Sequence, residues 1–380
     1  MAVSIAGGVR PGKLIEVERR LYKHLIVGKH KVAAMEDDAN EKLEQDVNKL
    51  DIERQAIKLR LEKQAQAQAT FKAISNQLTS TVNNTLEHQL AAPNSLLSNC
   101  GITENQILLL NLMLAADPNL NRIRPLIASI SWLSRDLTTL INSPASKHRR
   151  PKSGDVQVTD IKLILNYIGI ENLRLLLPYF CLRNWLPTGH ANLLWTGRKL
   201  WRYSMITAIA AKTLAGLHNR PISLSYTCAL LNQMGTSIIL NNSAIIFETH
   251  WGTWLREASH SREKEVYDAV MATEYPAEQV FNHVMNKGHR LNWQLLEQLD
   301  FKDSDITKVL KELDTASHFS QLSTDAAIVA KASCFAKIIL LEEYQLIDPQ
   351  ERKLMLDYYE FTQQEVIRLK AQNYRKLDLT

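Results

Sequence analysis

A stretch of strong helix formers without one proline or glycine runs from Asp38 to Leu90, and it constrains the fold more than any other feature. Glutamate, lysine, glutamine, alanine and leucine dominate it, and all of these residues favour helix. A seven-residue spacing passes through Leu43, Leu50, Ile57, Gln64, Phe71 and Leu78, with Val47, Leu61 and Val82 on the alternate seam. The spacing predicts one long helix with an imperfect heptad, because Arg54, Gln64, Gln68 and Ser75 interrupt the apolar seam.

Two roles fit such a helix. It could form a coiled coil through residues 40–90, with a second copy or with a partner, or it could dock along its own chain. The pattern leaves both open. Pro93-Asn94-Ser95 then ends the helix. We therefore treat residues 1–92 as an N-terminal arm and leave the fold of residues 1–35 open.

Residues 93–380 are expected to be all helix, because no run of alternating apolar residues interrupts the helical spacing. All seven tryptophans lie in this part. Proline, glycine and asparagine mark the breaks. The predicted helices lie near 103–115, 120–131, 133–142, 159–166, 171–186, 195–216, 223–231, 235–249, 262–273, 276–287, 291–299, 303–316, 323–343 and 349–375.

Composition is that of a globular protein with a sizeable core, with 45% hydrophobic and 22% charged residues. The formal net charge of +5 is too mild for a dedicated DNA-binding protein. Four scattered cysteines form no CxxC and are expected to be buried thiols. Without a secretory signal or a membrane-spanning stretch, a cytoplasmic protein is expected.

Several stretches resemble, in order, the motifs of the HDOD domain, the signalling-output relative of the HD-type metal phosphohydrolases. The resemblance is clearest over residues 104–300. It is carried by a short helix that ends in Asn142-Ser143, a helix pair with Gly169 between its helices, Trp201-Arg-Tyr-Ser-Met205, Leu230-Leu-Asn-Gln-Met-Gly235, and Tyr275-Pro-Ala-Glu-Gln with the later Trp293. It implies an all-α, HD-like domain that follows the long helical arm.

HD phosphohydrolases hold divalent metals with a histidine, a His-Asp pair and a later aspartate. Carried over by position, the resemblance puts Tyr203 at the first histidine, Asn232 and Gln233 at the pair, and Ser333 near the final aspartate. Neutral amides and a phenol with a pKa near 10 are poor ligands for a dication. We therefore expect no catalytic residue, no metal and no cofactor. Tyr203, Asn232 and Gln233 are candidates for a remnant pocket that could hold a small polar ligand.

Two further features carry candidate binding residues. Lys147, Arg149, Arg150 and Lys152 form a basic loop that could bind an anion, although a solvated loop is the simpler interpretation. Trp195, Arg198, Lys199, Trp201 and Arg202 mix aromatic and basic side chains along one helix. They would suit nucleotide stacking, but packing of Trp201 in the core is the simpler expectation. No nucleophile motif or phosphate-binding glycine loop occurs.

The combined expectation is a non-catalytic regulatory domain of bacterial signal transduction that binds an unidentified signalling protein or a small ligand. A divergent HD-type metal phosphohydrolase is the alternative. A nucleic-acid-binding regulator is the third and least favoured interpretation. No interaction with a membrane is expected.

Overall fold

The computed structural model describes residues 12–28, 51–92, 94–149, 157–375 and 377, and in this part of the chain every regular element is a helix. The all-α prediction is confirmed. The α-helices are α1 (Gly12–Ile26), α2 (Asp51–Ala91), α3 (Asn94–Asn99), α4 (Glu104–Met113), α5 (Leu120–Ser129), α6 (Ser131–Asn142), α7 (Ile161–Ile168), α8 (Ile170–Trp185), α9 (Leu194–Leu217), α10 (Ile222–Leu231), α11 (Met234–Ser261), α12 (Lys264–Ala272), α13 (Ala277–Gln298), α14 (Asp305–Thr315), α15 (Thr324–Glu343), α16 (Pro349–Tyr358) and α17 (Gln363–Lys370). Short 3₁₀ turns lie at Pro144–Arg149, Ala191–Leu193 and Phe319–Gln321.

Helix α9 lies at the centre of the fold, packed between α10 and α15. Most of its residues are buried, which explains why its sequence is apolar on more than one face. Helix α11 crosses α13 on one side of this centre, and α8 packs against α10 on another.

The long helix predicted from Asp38 to Leu90 is present as α2 over the described residues, whereas residues 38–50 lie outside them. Its 41 residues extend for about 60 Å. Its C-terminal part packs on α11 and α12 through Leu78, Val82, Leu86 and Leu90. Residues 51–73 are almost entirely exposed. The helix therefore combines docking onto its own chain with a free segment that could still form a coiled coil.

Residues 12–26, whose fold the sequence left open, form the amphipathic helix α1. Leu14, Val17, Leu21, Tyr22 and Leu25 recur at helical spacing and are buried. They pack against α9, α13, α15 and α16. This part of residues 1–92 thus belongs to the packed core, whereas the domain boundary near residue 92 stays a prediction.

Three predicted helix boundaries were wrong. The helices expected at 276–287 and 291–299 are the single helix α13, because Gly288 lies inside it and does not end it. Helix α11 continues well beyond 249, to Ser261. The helix expected over 349–375 is divided into α16 and α17, where Glu360 takes a positive φ of 51° and Thr362 caps the second helix. Local spacing does not reveal where a helix ends or continues at these places, since the apolar residues on both sides keep a helical pattern.

Candidate functional site

The four residues that the resemblance places at metal-ligand positions lie around the middle of α9. Tyr203 is on α9, Asn232 and Gln233 form the turn between α10 and α11, and Ser333 is on α15. All four are buried, with at most 3% of the surface exposed. The resemblance placed Ser333 here only by counting along the chain, and the fold brings it to Tyr203.

The hydroxyls of Tyr203 and Ser333 form a hydrogen bond of 2.8 Å. Burial raises the pKa of Tyr203 above its usual value, so the phenol stays neutral. A neutral phenol held by a serine hydroxyl offers no negative charge to a dication.

Helix α1 contributes a residue that sequence reasoning missed. The hydroxyl of Tyr22 donates a 3.1 Å hydrogen bond to Oε1 of Gln233. The Tyr22 ring meets the Tyr203 ring edge-to-face, with 6.0 Å between the centroids. Burial raises the pKa of Tyr22 well above its usual value. Tyr22 therefore connects Gln233 to Tyr203.

Sequence reasoning also missed a buried ion pair beside these residues. The ammonium of Lys337, one helical turn after Ser333 on α15, contacts the carboxylate of Glu18 on α1. Both side chains are at most 2% exposed. Lys337 interrupts an apolar run, and that interruption was the one signal in the sequence. We call Glu18, Tyr22, Tyr203, Gln233, Ser333 and Lys337 the closed centre.

Asn232 is turned away from this cluster, toward α13. Nδ2 of Asn292 donates a 2.9 Å hydrogen bond to the carbonyl oxygen of Asn232. Oδ1 of Asn292 accepts a hydrogen bond of 2.7 Å from the backbone nitrogen of Gly235. A Cβ at Gly235 would overlap the carbonyl oxygen of Gly288. The glycine of the Leu-Leu-Asn-Gln-Met-Gly motif thus permits the close crossing of α11 and α13.

The donor set of the closed centre does not fit a divalent metal. Its hydroxyl and amide groups are neutral, its one carboxylate is already paired, and the Lys337 ammonium would repel a second cation. Among the described residues no group of three or more histidine, cysteine, aspartate or glutamate side chains is arranged to hold a metal ion.

The basic loop cannot be placed in the same way. Arg150 and Lys152 lie outside the described residues, and for Lys147 and Arg149 only the backbone is described, as part of the 3₁₀ turn Pro144–Arg149. Anion binding by this loop stays a prediction.

The aromatic and basic residues of α9 separate into different environments. Trp195 is 71% exposed and lies under the guanidinium of Arg198. Lys199 donates to the carbonyl oxygen of His24, which helps to hold the end of α1. Trp201 is half-buried and Arg202 exposed, and both line a groove on another face of the helix. The five residues do not form one platform.

Comparison with known proteins gives one match. Residues 103–273 match the family model of the HDOD domain, which confirms the resemblance over most of the range in which it was clearest. No curated protein and no solved structure gives a significant match. Among the described residues no helix is both long and apolar enough to cross a membrane.

Proposed function

We propose that this chain, which contains an HDOD domain over residues 103–273, is a non-catalytic regulatory protein of bacterial signal transduction. Its helical surfaces would bind a signalling protein or a small ligand, and the position of the ancestral metal site would serve stability alone. The match to the HDOD family, whose members are signalling-output relatives of the metal phosphohydrolases, supports this class of function.

The observation that carries the proposal is the closed centre. A catalytic centre needs a cavity open to substrate and ligands that can compensate a dication. Here Tyr22 and Glu18 from α1 fill the space in front of Tyr203 and Gln233, and the polar groups satisfy one another. A buried and internally satisfied network is a feature of a rigid core.

The free part of α2 is the surface that best suits a protein partner. Ile57, Leu61 and Phe71 continue the helical face that Leu78 and Val82 use to dock on the domain. In the free part this face has no covering element among the described residues. A coiled-coil partner, or a second copy of the chain, would bury it.

Metal analysis and an activity screen test the non-catalytic assignment. The full chain, purified and incubated with Mg²⁺, Mn²⁺ or Fe²⁺, is expected to retain no stoichiometric metal. It is also expected to hydrolyse neither phosphomonoesters nor cyclic nucleotides. Bound metal together with turnover would overturn the assignment and favour the divergent phosphohydrolase.

The α2 surface has a separate test, in which the full chain is compared with a Leu61→Glu, Phe71→Glu variant. Both the mass in sedimentation and the set of proteins captured from a bacterial lysate are measured. We expect the variant to lose an interaction that the wild type shows. The matched control adds the same charge to polar positions of the same helix, as Gln55→Glu, Gln66→Glu. Equal behaviour of all three proteins would remove α2 as the binding surface.

A further inference from the structure

A groove of about 970 Å³ lies between α6, α8, α9 and the C-terminal residues Tyr374, Arg375 and Leu377. Its size is at the upper end of what small-molecule sites occupy. It is separate from the closed centre, because none of the residues of that centre lines it. We call it the aromatic groove after the side chains described next.

Tyr179, Trp201 and Tyr374 are half-buried in its walls, above a floor that includes the buried side chains of Phe180 and Met205. Tyr179 and Trp201 meet edge-to-face, with 4.8 Å between the ring centroids and 76° between the planes. Tyr179 also meets Phe180 edge-to-face, with 5.3 Å between the ring centroids. Trp201 makes no second ring contact with a described residue, so the exposed part of its ring remains for a flat ligand. Aromatic walls of this kind hold a nucleobase by stacking.

The charged side chains that line the groove are mostly positive. Arg183, Arg202 and Arg375 line it with their exposed side chains, and the one acidic lining residue is Asp136. Arg202 pairs with Glu343 at 2.7 Å, outside the lining. Arg183 and Arg375 form no ion pair with any described residue. Guanidinium groups bind phosphate oxygens through two parallel hydrogen bonds, so these two arginines suit a phosphate.

From the edge-to-face aromatic pair and from two arginines that form no ion pair with any described residue, we propose that the aromatic groove binds a nucleotide, with the base against Trp201 and Tyr179 and the phosphate at Arg183 and Arg375. This inference deepens the small-ligand part of the proposed function and rests on it. Single-stranded nucleic acid fits less well, because it requires a basic track along the backbone of several nucleotides, whereas the three arginines of this groove line one cavity of small-molecule size.

The test is calorimetric titration of the full chain with the four common nucleoside 5′-monophosphates and 5′-diphosphates. The corresponding nucleosides, inorganic phosphate and a 12-nucleotide single-stranded RNA are titrated alongside. We expect at least one nucleotide to bind, with its nucleoside and inorganic phosphate each about tenfold weaker or more, because each carries only half of the recognised chemistry. Binding of the RNA with steep salt dependence, without binding of any nucleotide, would overturn the proposal.

Two variants place the binding in the groove. Arg183→Gln removes an exposed charge and is expected to weaken nucleotide binding about tenfold, with little effect on the nucleoside. Trp201→Leu is expected to weaken both, and circular dichroism checks that it folds. Arg135→Gln, at an exposed position of α6 outside the lining, is the matched control and should bind as the wild type does. If Arg183→Gln and Trp201→Leu leave the affinity unchanged, the groove is not the site.

Nucleotide turnover is measured in the same samples, which separates this inference from the proposed function. Binding without turnover supports both. Turnover that is lost in Arg183→Gln would leave the groove as the binding site and overturn the non-catalytic assignment. A complete absence of nucleotide binding would overturn the groove proposal alone.

Discussion

Helix α9 presents two residues, only two positions apart, to opposite kinds of environment. Tyr203 is fully buried in the closed centre, where its hydroxyl bonds to Ser333. Trp201 is half-buried in the wall of the aromatic groove. The first site holds the residues that the resemblance places at metal-ligand positions, and it is filled by side chains of the chain itself. The second lies outside those positions and is open, which is why binding is proposed there.

The same contrast appears in two ion pairs. Glu18–Lys337 in the closed centre is shielded from water, whereas Arg202–Glu343 beside the groove has both side chains at least 40% exposed. A buried charge that loses its partner keeps the cost of its desolvation, but an exposed one regains its hydration. Removing one partner should therefore lower the free energy of unfolding much more at Glu18–Lys337 than at Arg202–Glu343, although both are pairs of a carboxylate and a basic side chain.

The largest effect is expected for Lys337→Ala. It leaves the carboxylate of Glu18 buried without its cation, so the free energy of unfolding should fall by about 3–5 kcal/mol in urea denaturation. The double variant Glu18→Leu, Lys337→Met removes both charges and should recover most of that loss. A single variant as stable as the wild type would show that the centre is not closed in solution.

Gly235→Ala tests the close crossing next to the closed centre. Because the added Cβ would overlap the carbonyl oxygen of Gly288, α11 and α13 must separate. We expect a loss of about 1–3 kcal/mol in the free energy of unfolding. The control is Gly252→Ala on the same helix, where a Cβ meets nothing within 4 Å. It should stabilise by about 0.5–1 kcal/mol. Equal effects of the two substitutions would contradict the crossing.

The attachment of α1 to α16 is expected to depend on pH through Glu351. Its carboxylate accepts two hydrogen bonds from Arg20 of α1, of 2.9 and 3.0 Å, and this contact lowers the pKa of Glu351 to about 2. Because the unfolded chain binds the proton more tightly, the stability from this contact is present above about pH 5 and is lost as the pH falls toward 2.

Glu351→Gln should therefore cost about 1–2 kcal/mol at pH 7, where the folded protein holds the carboxylate charged. The difference in stability between Glu351→Gln and the wild type should shrink steadily between pH 5 and pH 2, as measured by thermal unfolding across that range. Glu265→Gln, at an exposed carboxylate without an ion pair among the described residues, is the control and should leave the free energy of unfolding at pH 7 nearly unchanged. A difference that is independent of pH would contradict the role of Arg20.

The smallest effect is expected for Glu343→Gln. It breaks the exposed pair with Arg202, and such pairs contribute little because water screens them. The free energy of unfolding should change by less than about 0.5 kcal/mol. A loss comparable to that of Lys337→Ala would mean that the region of the groove is as closed as the centre.

Much of the fold could be predicted from local patterns. The helices around Tyr203 and the turn at Asn232 and Gln233 were placed correctly, because apolar spacing and the glycine and proline breaks act over a few residues. The long helix α2 follows from composition in the same way. The match to the HDOD family model over residues 103–273 confirms the resemblance in that range.

The partners of the site residues could not be predicted. Tyr22 and Gln233 are 211 positions apart, and Glu18 and Lys337 are 319 apart. A charged residue in a helical pattern is ordinarily solvated, so nothing local distinguishes Glu18 from a surface residue, and the apolar run around Lys337 does not identify its partner. The aromatic groove was missed for a similar reason, since its walls come from α6, α8, α9 and the C-terminal residues.

The sequence alone determined the all-helical class and most helices after residue 93, because helix formation depends on residue type and short spacing. The resemblance added the expectation that Tyr203, Asn232, Gln233 and Ser333 stand at metal-ligand positions. Only the tertiary structure decided that α1 packs against Tyr203 and Gln233 and that an open groove forms on another face of α9. Burial and long-range contacts arise from the packing of whole helices, which no local pattern records.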